Sequence, residues 1–246
     1  MTRARLFSLR FAATASLLLV AFVLLRYLWF PSGYFQIFGI GKLFLVLVVA
    51  VVVAGPVLST VVFKPGKKGL VLDLCVLAGI ELVILSWGLL EISERRPIYA
   101  VFAVDRFEAV TAREIDASQI RYPVLRSHPG FGPRLVYAEL PTDVDVKNRL
   151  IDETVFSGMA DIDRRPEFWK PYPQGMTALK EAGIPLAGLI ATGESQAAIV
   201  NRWLRRRSWS AADFVYLPIQ GSRADGTIIL HAEIGYPVDV LPIEPW

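Results

Sequence analysis

The sequence predicts a membrane α-helical region of three transmembrane helices followed by a periplasmic α+β domain, on three observations. First, 54% of the 246 residues are apolar and the mean hydropathy is +0.45. A soluble domain holds roughly 45–50% on a count that also includes glycine. Second, the excess lies between Phe11 and Leu90. Third, from Pro97 onward short β-rich runs alternate with helix-cap and turn signals, as in an ordinary globular domain.

A bilayer core about 30 Å thick needs about 20 apolar residues of helix. Residues 11–30, 43–63 and 70–90 qualify. Arg3, Arg5 and Arg10 precede the first run as a signal peptide's basic region would. The run ends, however, in Tyr27-Leu28-Trp29-Phe30, where signal peptidase requires small residues. Aromatics there read as an interfacial belt on a retained anchor, with Arg26 snorkelling to the headgroups.

Orientation follows from Lys and Arg in the short flanks. The N-terminal flank carries Arg3, Arg5 and Arg10, and the loop between spans two and three carries Lys64, Lys67 and Lys68. The loop between spans one and two carries only Lys42. The two basic clusters outweigh Arg95 and Arg96 after span three. They place the N-terminus in the cytoplasm, and everything after Leu90 in the periplasm of a bacterial inner membrane. Residues 1–96 are then the membrane region and 97–246 the periplasmic domain. The net charge of +3 is accounted for by orientation, so no nucleic-acid partner is expected. Cys75, the single cysteine, lies in span three, and His128 and His231 are the two histidines. No internal disulfide, metal site or cofactor is expected.

Three polar features interrupt the spans. Gly55-Pro56 lies near the middle of span two, and the proline predicts a kink. Ser59 and Thr60, one turn on, are placed to help satisfy freed carbonyls. Asp73 lies one turn inside span three, within reach of Lys67 or Lys68. Glu81 lies at mid-span, where a charge costs at least about 2.5–3.5 kcal/mol. No basic residue of the other two spans is expected at its depth. Two readings stay open for Glu81: a hydrogen bond to a backbone carbonyl, or a contact with another protein's transmembrane helix. Gly79 and Gly88 on the same helix leave room for a close neighbour. Glu81, Gly55 and Pro56 are the candidate partner contact in the membrane.

In the outer domain, residues 98–104 and 107–110 read as strands across a turn at Asp105-Arg106. Thr111 with Glu114 matches a capping box for a short helix. Residues 121–133 read as a loop, 134–140 as a strand, and Thr142 or Asp143 caps a helix ending near Ser157-Gly158. Residues 164–175 hold Phe168, Trp169 and Tyr172 among prolines, an irregular excursion that either packs on itself or binds a partner. Helices are expected over 176–182 and 194–207, and strands over 214–219, 227–234 and 238–241. Ala224-Asp225-Gly226 turns between two of these. The expected architecture is a small, mostly antiparallel sheet with helices on one face.

No motif carries chemistry. Gly39-Ile40-Gly41-Lys42 lacks the spacer and the Ser or Thr of a phosphate loop. Gly193-Glu194-Ser195 lacks the second glycine of a nucleophile elbow, and a Ser195–His–Asp arrangement with His128 or His231 has no motif in its support. The chain is read as not an enzyme.

The membrane half resembles the TfpX/TfpZ-type IV pilin accessory proteins of Gram-negative bacteria. The residues that carry the resemblance are Gly55-Pro56-Val57-Leu58-Ser59-Thr60-Val61-Val62-Phe63, Lys64-Pro65-Gly66-Lys67-Lys68-Gly69-Leu70 and Asp73-Leu74. Trp87-Gly88, Arg96-Pro97, Val101-Phe102, Asp105-Arg106-Phe107 and the closing Pro245-Trp246 continue it. The similarity is strongest over residues 27–115. The family pattern has an acidic residue before the Gly-Pro and Gln at position 81; here residues 50–54 are apolar and position 81 is Glu. The resemblance implies an inner-membrane role beside a type IV major pilin, in its assembly or stability or in pilus biogenesis. Three spans plus a periplasmic domain can meet both the membrane helix and the head of a pilin, and two linked contacts gain from effective concentration. The competing readings are a periplasmic sensor or scaffold, and a membrane-bound transferase modifying pilin. The transferase would have to use Asp105 and Glu108 near the membrane face. The oligomeric state is not legible.

Overall fold

A computed structural model describes residues 2–127 and 130–245. His128, Trp246 and any role for them lie outside the described residues. Three helices are long and apolar enough to cross a membrane. They are α1 (Arg3–Trp29), then, after a loop holding the four-residue α2 (Tyr34–Ile37), α3 (Ile40–Val62) and α4 (Leu70–Glu94). All three expected spans are borne out. The first helix, however, begins eight residues before its apolar run, at Arg3, capped by Thr2 accepting from Arg5 N.

Proline shapes the second span. Pro56 offers no N–H and its ring crowds the preceding turn. The chain accommodates it by widening into a π-helical stretch, Val53–Val57, the usual form of such an insertion. Thr60 Oγ1 donates to Pro56 O at 2.7 Å. Ser59 makes no such bond and is fully buried.

Eight strands form one sheet: β1 (Pro97–Ala103), β2 (Arg106–Thr111), β3 (Arg134–Ala138), β4 (Trp169–Pro171), β5 (Ile184–Pro185), β6 (Phe214–Gln220), β7 (Asp225–His231) and β8 (Pro237–Leu241). Their order is β4-β3-β1-β2-β6-β7-β8, with β5 on β6. Most pairings are antiparallel, as expected, but β1–β3 and β2–β6 are parallel. The helices of this half are α5 (Pro123–Arg126), α6 (Val144–Phe156), α7 (Met176–Ala182), α8 (Leu186–Thr192) and α9 (Glu194–Arg205). The Thr111–Glu114 box forms, with Thr111 N donating to Glu114 Oε2 at 2.7 Å. It closes a single 3-10 turn instead of a helix, because Ile115 is already extended.

Strand side chains alternate between faces, and here both faces are buried. Tyr99 and Val101 of β1 join one cluster with Leu150 and Trp169, whereas Ala100 and Phe102 join another. That second cluster runs from Leu217, Ile228 and Val240 of the sheet through Tyr34, Ile37 and Phe38 to Leu47, Val51 and Leu85 of the spans. Helices therefore cover both faces, correcting the expectation of one helical face. α8 and α9 pack through Leu189, Val200 and Trp203 on one side; α2 and Leu179 of α7 lie on the other. The apolar core is continuous from the spans into the sheet.

The joint between the two halves is the loop around α2. Ile37 O accepts from both Arg223 N and Ala224 N at 3.1 Å, and Leu28 O accepts from Gly132 N at 3.1 Å. Gly221 makes this fit possible: a Cβ there would lie 2.9 Å from both Ile37 O and Ala224 O. Backbone oxygens on both sides cannot swing away, so Gly221→Val should overpack the joint by about 1–3 kcal/mol. We expect faster limited proteolysis within residues 31–39 of the variant. Cleavage at the wild-type rate would mean the loop is not seated on the sheet.

Residues 164–175 pack on themselves. Trp169 is fully buried, stacks edge-on against Tyr99 at 4.7 Å and donates to Asp163 O. The Tyr172 hydroxyl donates to Gly235 O at 2.6 Å. Of the two sequence readings, inward packing is the one observed for these rings.

Candidate functional site

The spans bring together the candidates Glu81, Gly55 and Pro56. Gly55 and Pro56 are buried on the widened turn of α3, and Glu81 of α4 is 4% exposed. The Glu81 carboxyl lies directly over Gly55. A Cβ at position 55 would stand 2.5 Å from the carboxyl carbon and 2.6 Å from each oxygen. Only glycine leaves that space.

The acid has partners in its own chain. Arg10 Nη2 donates to Glu81 Oε2 at 2.8 Å, and Thr14 Oγ1 makes a short bond to Oε1. Arg10 and Thr14 are one turn apart on α1, so they face the same way. α1 and α4 cross in the same sense. Arg10 is seven residues into α1 and Glu81 eleven into α4. At 1.5 Å per residue that offset is roughly 6 Å, which an arginine side chain spans. The expectation that no basic residue lies at the depth of Glu81 is thereby corrected. Arg10 looked like flank because the apolar run starts at Phe11; the helix itself starts earlier. Its one sequence signal was the Arg10–Thr14 spacing, one helical turn apart at the start of the apolar run.

The arrangement is an ion pair in which each span supplies one part: donors from α1, clearance from α3, the carboxylate from α4. Among the described residues, Arg10 Nε and, on α3, Ser59 Oγ are buried without hydrogen-bond partners. Asp73, as expected, pairs with Lys67 at the first turn of α4. Gly88 is filled by Leu47, whereas Gly79 meets nothing within 4 Å.

A second polar cluster lies in the sheet half. Glu108 on β2, Asp163 and Arg164 line a cavity of about 280 Å³ with Arg106, Asp161 and Gln220. Arg164 reaches Glu108 at 3.1 Å, Asp163 at 3.0 Å and Glu114 at 3.4 Å. Glu108 is 8% exposed. Burial, with Asp163 adding repulsion, pushes its carboxyl up to about 7 against the pull of Arg164 and Arg106. Asp163 is raised for the same leading reason. Asp105 is paired with Arg106 on an exposed turn beside Val104, a β-branched residue at φ 58°. Ser195 Oγ bonds Gln196, and His231 Nδ1 accepts from Glu233 N; each is engaged with its own neighbour. Among the described residues no three metal-ligating side chains gather.

Two curated proteins of Dichelobacter nodosus are similar to this chain. They are the fimbrial assembly proteins of serogroups I and E1, each 25% identical over 206 residues. The match covers 82% of this chain and 79% of each relative, so the likeness read from the membrane half extends well into the sheet half. It agrees with the resemblance to the TfpX/TfpZ-type accessory proteins. No family model matches the chain, and no solved structure matches it.

Proposed function

We propose that this chain is a non-enzymatic accessory protein of type IV pilus biogenesis, acting on a major pilin from the inner membrane. The observation that carries the reading is similarity to fimbrial assembly proteins across four-fifths of the chain, on a fold that joins three spans to a sheet through one core. A scaffold of that kind can hold the membrane helix and the head of a pilin at once. The basic residues Arg3, Arg5, Lys64, Lys67 and Lys68, without the internally paired Arg10, support a cytoplasmic N-terminus and a periplasmic sheet domain. Glu81 lies over Gly55 inside the bundle, and Pro56 is buried on the same turn. Their part in a pilin contact would be indirect: they fix the kink that shapes the outer surface of α3.

The test has two arms. Deleting the gene in a piliated host should remove most surface pili, and the full-length protein should crosslink to pilin in membranes. Normal pilus numbers together with no pilin adduct would sink the reading. Alkaline phosphatase fused after Trp246 should be active and fused after Lys68 inactive; the reverse pattern would overturn the orientation.

A further inference from the structure

We infer that the loop preceding β3 is a lipid-docking surface, with Phe131 seated in the headgroup boundary of an anionic bilayer beside the end of α1. Phe131 is 70% exposed, unlike the aromatics of 164–175. Its neighbour Gly132 donates its N–H to Leu28 O, in the last turn of α1, at 3.1 Å. Gly132 has φ 59°, and a Cβ on it would lie 3.3 Å from Pro31 Cγ. Phe131 is thereby tied to the level where α1 leaves its apolar run; Tyr27, the residue before Leu28, is itself 66% exposed. The occupant of that level is fixed by continuity: whatever solvates the end of a spanning helix also meets Phe131. An exposed ring there gains by entering the acyl–headgroup boundary.

The charge around it selects the headgroup. Residues 117–138 contain Arg126 and Arg134 and no Asp or Glu; Arg121, in the same stretch, lines a cleft with Glu139, Asp143 and Glu167 beyond the far end of β3 and takes no part. Arg134 pairs across the sheet with Tyr99, two residues beyond Pro97 at the start of β1, so it too lies near the spans. An apolar side chain beside basic ones and no acid is the pattern of a segment lying on an anionic lipid surface. The docking holds the sheet half against the membrane beside the joint, and limits its tilt.

The test uses the full chain in vesicles of equal parts phosphatidylcholine and phosphatidylglycerol. With Cys75→Ser removing the only cysteine, a nitroxide is attached at Phe131→Cys or, as control, at Val104→Cys on the exposed turn at the other end of β1. The label at 131 should be relaxed by oxygen and shielded from a water-soluble nickel chelate; the label at 104 should show the opposite. Equal exposure of both labels to the chelate would overturn the proposal. Phe131→Trp supplies an independent reading without a label. Its added fluorescence should be quenched by lipids brominated high on the acyl chain, and an unquenched increment would overturn the proposal equally.

Discussion

Replacing Arg10 with Met should destabilise the spans by about 3–5 kcal/mol, the range found when one partner of a buried ion pair is removed. The reason is where the remaining charge sits. Glu81 is 4% exposed, carried on a short side chain over Gly55, and without Arg10 it keeps only the Thr14 bond. Glu81→Gln should cost less. The amide oxygen still accepts from Arg10, whose side chain is 21% exposed and long enough to snorkel toward the near end of α1. The double variant Arg10→Met, Glu81→Gln should recover much of the loss, because no unpaired charge remains; the pair is coupled, so the single effects will not add. Gly55→Leu should mimic the Arg10 change, since the added carbons displace the carboxyl from its donors. The measurement is the thermal unfolding midpoint in detergent, with protein level in membranes as a second reading. An Arg10→Met protein as stable as wild type would show that the ion pair does not hold the bundle.

The sheet half should lose stability as pH rises from about 4.5 to about 7, and Glu108→Gln should remove most of that dependence. The folded state raises the Glu108 carboxyl to about 7 from an ordinary 4.5, so across that window it binds a proton that the unfolded chain has released. Stability is then greatest at the acid end, falls through the window, and levels off above it. The size is about 3 kcal/mol, taking 1.36 kcal/mol per unit of pKa. Asp163, raised in the same direction, adds to the slope. Gln at 108 keeps an acceptor for Arg164 and removes the titration. Guanidinium unfolding followed by tryptophan fluorescence, at pH 5 and pH 8, reads the difference. Parallel losses in wild type and Glu108→Gln would show that burial of this carboxyl carries no cost.

Hydropathy and charge alone determined the membrane half. Twenty apolar residues in succession leave a chain few options in lipid, since every backbone group must be bonded within its own helix. The kink at Pro56 was legible for the same local reason: a missing N–H is a property of one residue. The strands from Pro97 were legible from composition, and β1 carried a further signal. Tyr99 through Ala103 are apolar at every position, the mark of a strand buried on both faces, and the α2 loop turns out to cover the second face. What only tertiary structure decided was which elements meet. The helix 186–192 depends on packing against Val200, Trp203 and Phe214, and the parallel pairing of β2 with β6 on contacts across more than a hundred residues of chain. Nothing local to Glu81 names Arg10, which lies seventy-one residues away and reads as flank until α1 is seen to begin at Arg3 and lie against the kink of α3. A charge in lipid must find a partner or be neutralised. The sequence therefore determined that Glu81 would be satisfied, whereas the packing of three helices around one glycine decided by what.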